Sequence, residues 1–181
     1  MRARAVPRAD VEHCVVTDPA GDGPVRIGVL FSTSGTTAVV ERTQRRAVEM
    51  AVAEINEAGG ILGRPLEAIY ADPASDPKRY RALGAEMIER EDIRLFFGCY
   101  MSSTRKALLP VLEENSALLF YPTLYEGFEF SSWCYYGGAA PNQNSIGLVS
   151  YLMENYGSDF YLVGSNYVFP YESNRVMRDY I

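Results

Sequence analysis

From Ile93 to Tyr121 the chain reads IRLFFGCYMSSTRKALLPVLEENSALLFY. The stretch begins with a nearly unbroken apolar run, Ile93 to Cys99. A short loop rich in hydroxyls follows, Tyr100 to Thr104. Ser102 or Ser103 stands where a helix is capped, and helical spacing then continues to about Glu114. Ala117-Leu118-Leu119-Phe120-Tyr121 is apolar again. Strand, helix and strand in such quick succession predict parallel pairing through a right-handed crossover. A strand with no polar alternation is one that helices cover on both faces.

The same unit recurs on either side. Upstream, Val25 to Phe31 is a short apolar strand ending in Ser32-Thr33-Ser34-Gly35. Glu41 to Ala58 has helical spacing, and Gly59-Gly60 stops it. Leu66 to Ala71 is the next strand. Asp76-Pro77 supplies a cap and a first helical residue for a helix over Lys78 to Arg90. Downstream, Trp133 to Gly137 is a fifth strand and Asn144 to Tyr156 a helix. Phe160 to Gly164 reads as another strand, and Glu172 to Ile181 opens another helix. The pattern predicts an α/β fold with a doubly wound, mostly parallel sheet. Residues 1–24 mix Pro, Asp and Gly without periodicity and read as a leader. In open sheets of this kind, ligands sit beyond the carboxyl ends of the strands. That points to the loops at 32–37, 72–76, 100–103, 121–126 and 165–169.

Composition narrows the chemistry. The 181 residues are 48% apolar and 22% charged, which is ordinary globular composition. The net charge is −6, and without a basic run the chain is a poor holder of phosphate backbones, so no direct nucleic-acid partner is expected. No apolar run approaches the roughly 18 residues of a membrane span. The leader has no apolar core, so no secretory signal is visible. The cysteines, Cys14, Cys99 and Cys134, form no CxxC, and Cys99 and Cys134 read as small buried residues of a reducing compartment. The single histidine, His13, lies in the leader, so a Ser-His-Asp or Cys-His mechanism has no base within the fold. GxxxxGK[ST], GxGxxG and GxSxG are all missing. No metal or cofactor is expected. Asp72 and Asp76 share one loop, but a turn and a cap account for both.

The strand ends carry hydroxyls and aromatic rings instead: Tyr100, Ser102, Ser103 and Thr104, then Tyr121, Thr123 and Tyr125, then Tyr167. Tyrosine offers an apolar wall with one polar tip, and a helix start adds backbone donors. Such a set suits a small, neutral, polar molecule. Its carbonyl would accept from helix-start N–H groups and the Ser102 hydroxyl, and its NH₂ would donate to Thr123, Tyr121 or Tyr167. Arg105 and Lys106 lie just past the first turn of a helix and read as pointing along it, away from the ligand. A carboxylate or tyrosine can also act as a base, so an amide-processing enzyme stays as a third reading.

Several consecutive segments carry a resemblance. They are Asn56 to Pro65, Gly98 to Lys106, Phe120 to Gly127, Gly138 to Asn144 and Tyr167 to Pro170. Together they resemble the amide and urea branch of the type I periplasmic-binding-protein family. The resemblance implies two lobes: 25–138 as the ligand-binding lobe and 139–181 as the beginning of a second, cut short at Ile181. It implies a pocket at Tyr100, Ser102, Tyr121, Thr123 and Tyr167 for an amide or urea that is bound and released unchanged, so no enzyme is expected. Tyr100-Met101-Ser102 and Pro122-Thr123-Leu124 are more similar to the cytoplasmic sensor arm, whose partner is an antitermination regulator. The alternative is the periplasmic substrate-binding component of a urea or short-chain amide ABC transporter.

Overall fold

The computed structural model describes residues 23–181, so the leader up to residue 22, with His13 and Cys14, lies outside the described residues. Five parallel strands form one sheet: β1 (Val25–Leu30), β2 (Leu66–Ala71), β3 (Leu95–Gly98), β4 (Leu118–Tyr121) and β5 (Cys134–Tyr136). Their order across the sheet is β2-β1-β3-β4-β5. The connections place α1 (Ala38–Glu57), α2 (Pro77–Glu91) and α3 (Ser102–Glu114) against the sheet, and α4 (Pro141–Tyr156) and α5 (Val168–Tyr180) follow it.

Alternation along the strands splits the core in two. Leu30, Phe96, Leu119 and Tyr121 point to the face where Tyr80, Met87 and Ile88 of α2 meet Leu108, Leu109 and Leu112 of α3. Ile27, Val29 and Phe31 point to the other face, where Val48, Val52 and Ile55 of α1 pack. Gly28 is required by close approach, because a Cβ there would stand 2.6 Å from the Phe96 ring.

The local signals act as their chemistry dictates. The Asp76 side chain accepts from the Lys78 N–H at 2.8 Å, with Pro77 opening α2. Gly59 and Gly60 adopt φ of 100° and 80° after α1. Boundaries shift where packing decides. α1 begins at Ala38 rather than Glu41, since the Thr37 carbonyl already accepts from the Val40 and Glu41 N–H groups. α4 starts at Pro141 and α5 at Val168, each before the expected residue.

Two expectations are overturned. Phe160 to Gly164 is no strand: Tyr161 is 92% and Val163 78% exposed, and among the described residues no strand pairs with it. An apolar run becomes a strand only when a neighbour satisfies its backbone. Neither Ser102 nor Ser103 caps α3. Met101 holds the cap position, and Ser102 is already the first helical residue, its hydroxyl committed elsewhere.

Candidate functional site

The carboxyl ends of β3 and β4 open onto a hollow of about 470 Å³, within the range of small-molecule sites. Cys99, in a left-handed conformation (φ 66°), turns the chain out of β3 while its N–H still donates to the Leu30 carbonyl at 3.0 Å. Tyr100, Met101 and Ser102 therefore leave the sheet at its edge. Tyr121, Thr123 and Leu124 come from the end of β4, and Ser165, Tyr167, Phe169 and Pro170 from the segment entering α5. All five residues singled out from the sequence, Tyr100, Ser102, Tyr121, Thr123 and Tyr167, line this one hollow. The loops after β1 and β2 do not reach it.

Each polar group has a defined sense. The Tyr121 hydroxyl donates to the Tyr100 carbonyl at 3.0 Å, and burial pushes its pKa up. The Tyr167 hydroxyl accepts from the Ser103 N–H at 3.0 Å, which ties α5 to the start of α3 and leaves the Tyr167 proton free to donate. The Thr123 Oγ1 is buried and, among the described residues, has no partner. The Ser102 hydroxyl donates to the Glu126 Oε2 at 2.9 Å. Ser102 therefore does not present the outward-facing donor that the sequence suggested.

Behind this wall lies a buried ionic cluster that sequence reasoning missed. Arg105, expected to run along the helix surface, is fully buried. Its Nη2 donates to Glu126 Oε1 at 2.7 Å and its Nε to Glu129 Oε1 at 2.6 Å. Lys106 Nζ donates to Glu129 Oε2 at 2.7 Å, and the Tyr136 hydroxyl to Glu129 Oε1 at 3.0 Å. The guanidinium stacks 4.7 Å from the centre of the Tyr121 ring, with the Tyr125 and Tyr136 rings nearby. Burial alone would lower the Arg105 pKa, but bonds from Glu126 and Glu129 outweigh it and raise it. Burial would lift the Glu129 carboxyl, and Lys106 and Arg105 hold it down instead. The signal in the sequence was an acidic pair, Glu126 and Glu129, on the loop after β4, facing the basic pair Arg105-Lys106 on α3. Only folding shows that they meet.

Burial raises the Cys99 and Cys134 thiols, the latter to about 12, so neither is a thiolate at neutral pH. Among the described residues no cluster of three or more metal-ligating side chains occurs. In the same region no helix is long and apolar enough to cross a membrane.

Comparison with known proteins agrees with this picture. A leucine-, isoleucine-, valine-, threonine- and alanine-binding protein of Pseudomonas aeruginosa is 28% identical over 99 residues, 55% of this chain and 26% of that protein. A Leu/Ile/Val-binding protein homologue of Brucella melitensis is 31% identical over 55% of this chain and 27% of its own length. Among solved structures, the isoleucine complex of a branched-chain amino acid transporter substrate binding protein from Streptococcus pneumoniae superposes with a TM-score of 0.71. It shares 18% identity over 86% of this chain and 46% of that one. An ABC transporter substrate-binding protein from Desulfitobacterium hafniense, in complex with Leu, gives 0.71, 18%, 87% and 47%. The matched region is thus about a quarter of the curated relatives and under half of the solved chains. At this level of identity the solved structures speak for the fold alone. The model of the periplasmic binding protein domain, however, matches residues 25–181. With that match added to the parallel sheet and the hollow at its carboxyl edge, this chain belongs to the periplasmic binding protein family.

Proposed function

We propose that this chain is the ligand-receiving part of a solute-binding protein that holds a small uncharged amide or urea and releases it unaltered. One observation carries the reading: none of the residues lining the hollow bears a charge, and one of them, Thr123, has a buried hydroxyl with no partner among the described residues. A zwitterionic amino acid, such as the named relatives bind, would bring two charges into that wall. Burying an unpaired charge costs far more than burying a hydrogen-bonded amide. An amide carbonyl can accept from Thr123 and Tyr167, and its NH₂ can donate to the oxygens left free by Ser102 and Tyr121.

The setting best supported is transport, since the periplasmic binding protein domain model spans residues 25–181 and the named relatives are binding proteins. A periplasmic place follows from the same reading. The cytoplasmic sensor, with an antitermination regulator as partner, rests on the motif run alone. Calorimetric titration of acetamide, urea and isoleucine into the full chain tests the ligand class. Heat from acetamide or urea and none from isoleucine is expected, and the reverse order overturns the reading. Release of ammonia from acetamide would instead make the protein an enzyme. Fractionation of cells decides between export and retention.

A further inference from the structure

We infer that Glu126 is a positioning residue that fixes the donor–acceptor sense of the hollow, and so the orientation of whatever amide enters it. The inference rests on the amide reading above and adds a rule of selectivity to it. A carboxylate only accepts hydrogen bonds. Glu126 is 1% exposed, and Arg105 occupies one of its oxygens. The other oxygen takes the Ser102 proton. With that proton drawn inward, the Ser102 hydroxyl can offer only lone pairs to a ligand. Tyr121 is in the same position, its proton spent on the Tyr100 carbonyl. Tyr167 is opposite in sense, since its oxygen accepts from Ser103 and its proton is free. The wall thus has an acceptor side, Ser102 and Tyr121, and a donor side at Tyr167, with Thr123 able to serve either. A bound molecule must place an N–H at Ser102 and a carbonyl toward Tyr167. A molecule with a carbonyl but no N–H leaves the acceptor side unmet.

Acetone tests this, because it keeps the shape and carbonyl of acetamide and puts a methyl where the amide has NH₂. Binding of both to the full chain is measured for the wild type, Glu126→Gln and Ser102→Ala. In Glu126→Gln, Arg105 retains the side-chain carbonyl and turns the amide NH₂ toward Ser102. Ser102 then accepts from within and directs its own proton into the hollow. The expected result is a wild-type preference for acetamide that shrinks about tenfold in Glu126→Gln, chiefly through weaker acetamide binding. Ser102→Ala, which leaves the ion pair untouched, should shrink it by a similar factor. Equal weakening of both probes in Glu126→Gln would mean a merely structural role and overturns the inference. If Glu126→Gln does not fold, Ser102→Ala decides, and an unchanged ratio there overturns it. Failure of the wild type to bind either probe sinks the amide reading itself, and this inference with it.

Discussion

Two corners of the same sheet edge handle buried carboxylates in different ways. At the β1–β2 corner, Glu41 is fully buried with no ion pair among the described residues, and it accepts from the Ser32 N–H at 2.8 Å and from the Thr37 and Tyr80 hydroxyls. Asp72 there accepts from the Thr33 and Ala74 N–H groups at 3.0 and 2.9 Å, and from the Ser34 hydroxyl at 2.7 Å. Donors and acceptors there use one another up, with the Ser32 hydroxyl taking the Ser75 N–H and Thr37 meeting the Ser75 hydroxyl. At the β3–β4 corner, Glu126 is held by an arginine, and its remaining bond reaches forward to Ser102 at the wall of the hollow. Both corners are rich in hydroxyls. What separates them is whether hydroxyls are left over after the loops have satisfied themselves.

The contrast can be broken most forcefully at Arg105. Arg105→Met should cost about 3–5 kcal/mol of stability in denaturant titration, because it removes the 2.7 Å partner of the buried Glu126 and leaves only Lys106 Nζ, 3.9 Å away, to face its charge. It should also weaken acetamide binding, since the Ser102 support goes with it. Glu41→Leu comes next. It strands the Ser32 N–H, while the Tyr80 hydroxyl keeps the Ser32 hydroxyl as a partner at 3.0 Å, for an expected loss of about 1–3 kcal/mol. Acetamide affinity should hold, and a matching loss of affinity would show that the two corners are not separate. Thr123→Val sharpens the contrast from the other side. Its hydroxyl has no partner to lose among the described residues, so the unfolding midpoint should stay or rise slightly, while acetamide binding weakens about tenfold.

The smallest effect concerns pH. Burial would raise the Asp72 carboxyl, but the bonds from Ser34, Ala74 and Thr33 outweigh it and hold it well below the usual carboxylate range. A carboxyl depressed in the folded state contributes stability that is complete above its unfolded value, about 4, and is lost as pH falls through the folded value. Glu129, also depressed, acts with the same sign at the other corner. Stability should therefore be level from pH 7 to about 5 and fall below about 4. Asp72→Asn should flatten that fall in part. A profile identical to the wild type would show that Asp72 adds nothing.

Much of the β1–β4 frame is legible in the residues because its signals are local. Asp76-Pro77 opens α2 whatever else is nearby, and Gly59-Gly60 ends α1 by its own backbone freedom. Phe160 to Gly164 misleads for the opposite reason. Its apolar spacing is local, but strandhood depends on a neighbour supplied from elsewhere in the fold. Ser102 misleads in the same way, since a serine before a helix ordinarily caps it, and here a glutamate 24 positions on takes its proton.

By itself, then, the sequence determined the parallel α/β layering and the strand-end loops from which Tyr100, Ser102, Tyr121, Thr123 and Tyr167 reach one hollow. Periodicity, caps and strand-end loops are written in neighbouring residues, and parallel connections send every such loop to one side. Only the tertiary structure decided which of those polar groups remain free and in which sense. A hydroxyl can donate or accept, and the choice is made by a partner far along the chain. Arg105 and Glu126, 21 positions apart and both out of water, make that choice at Ser102.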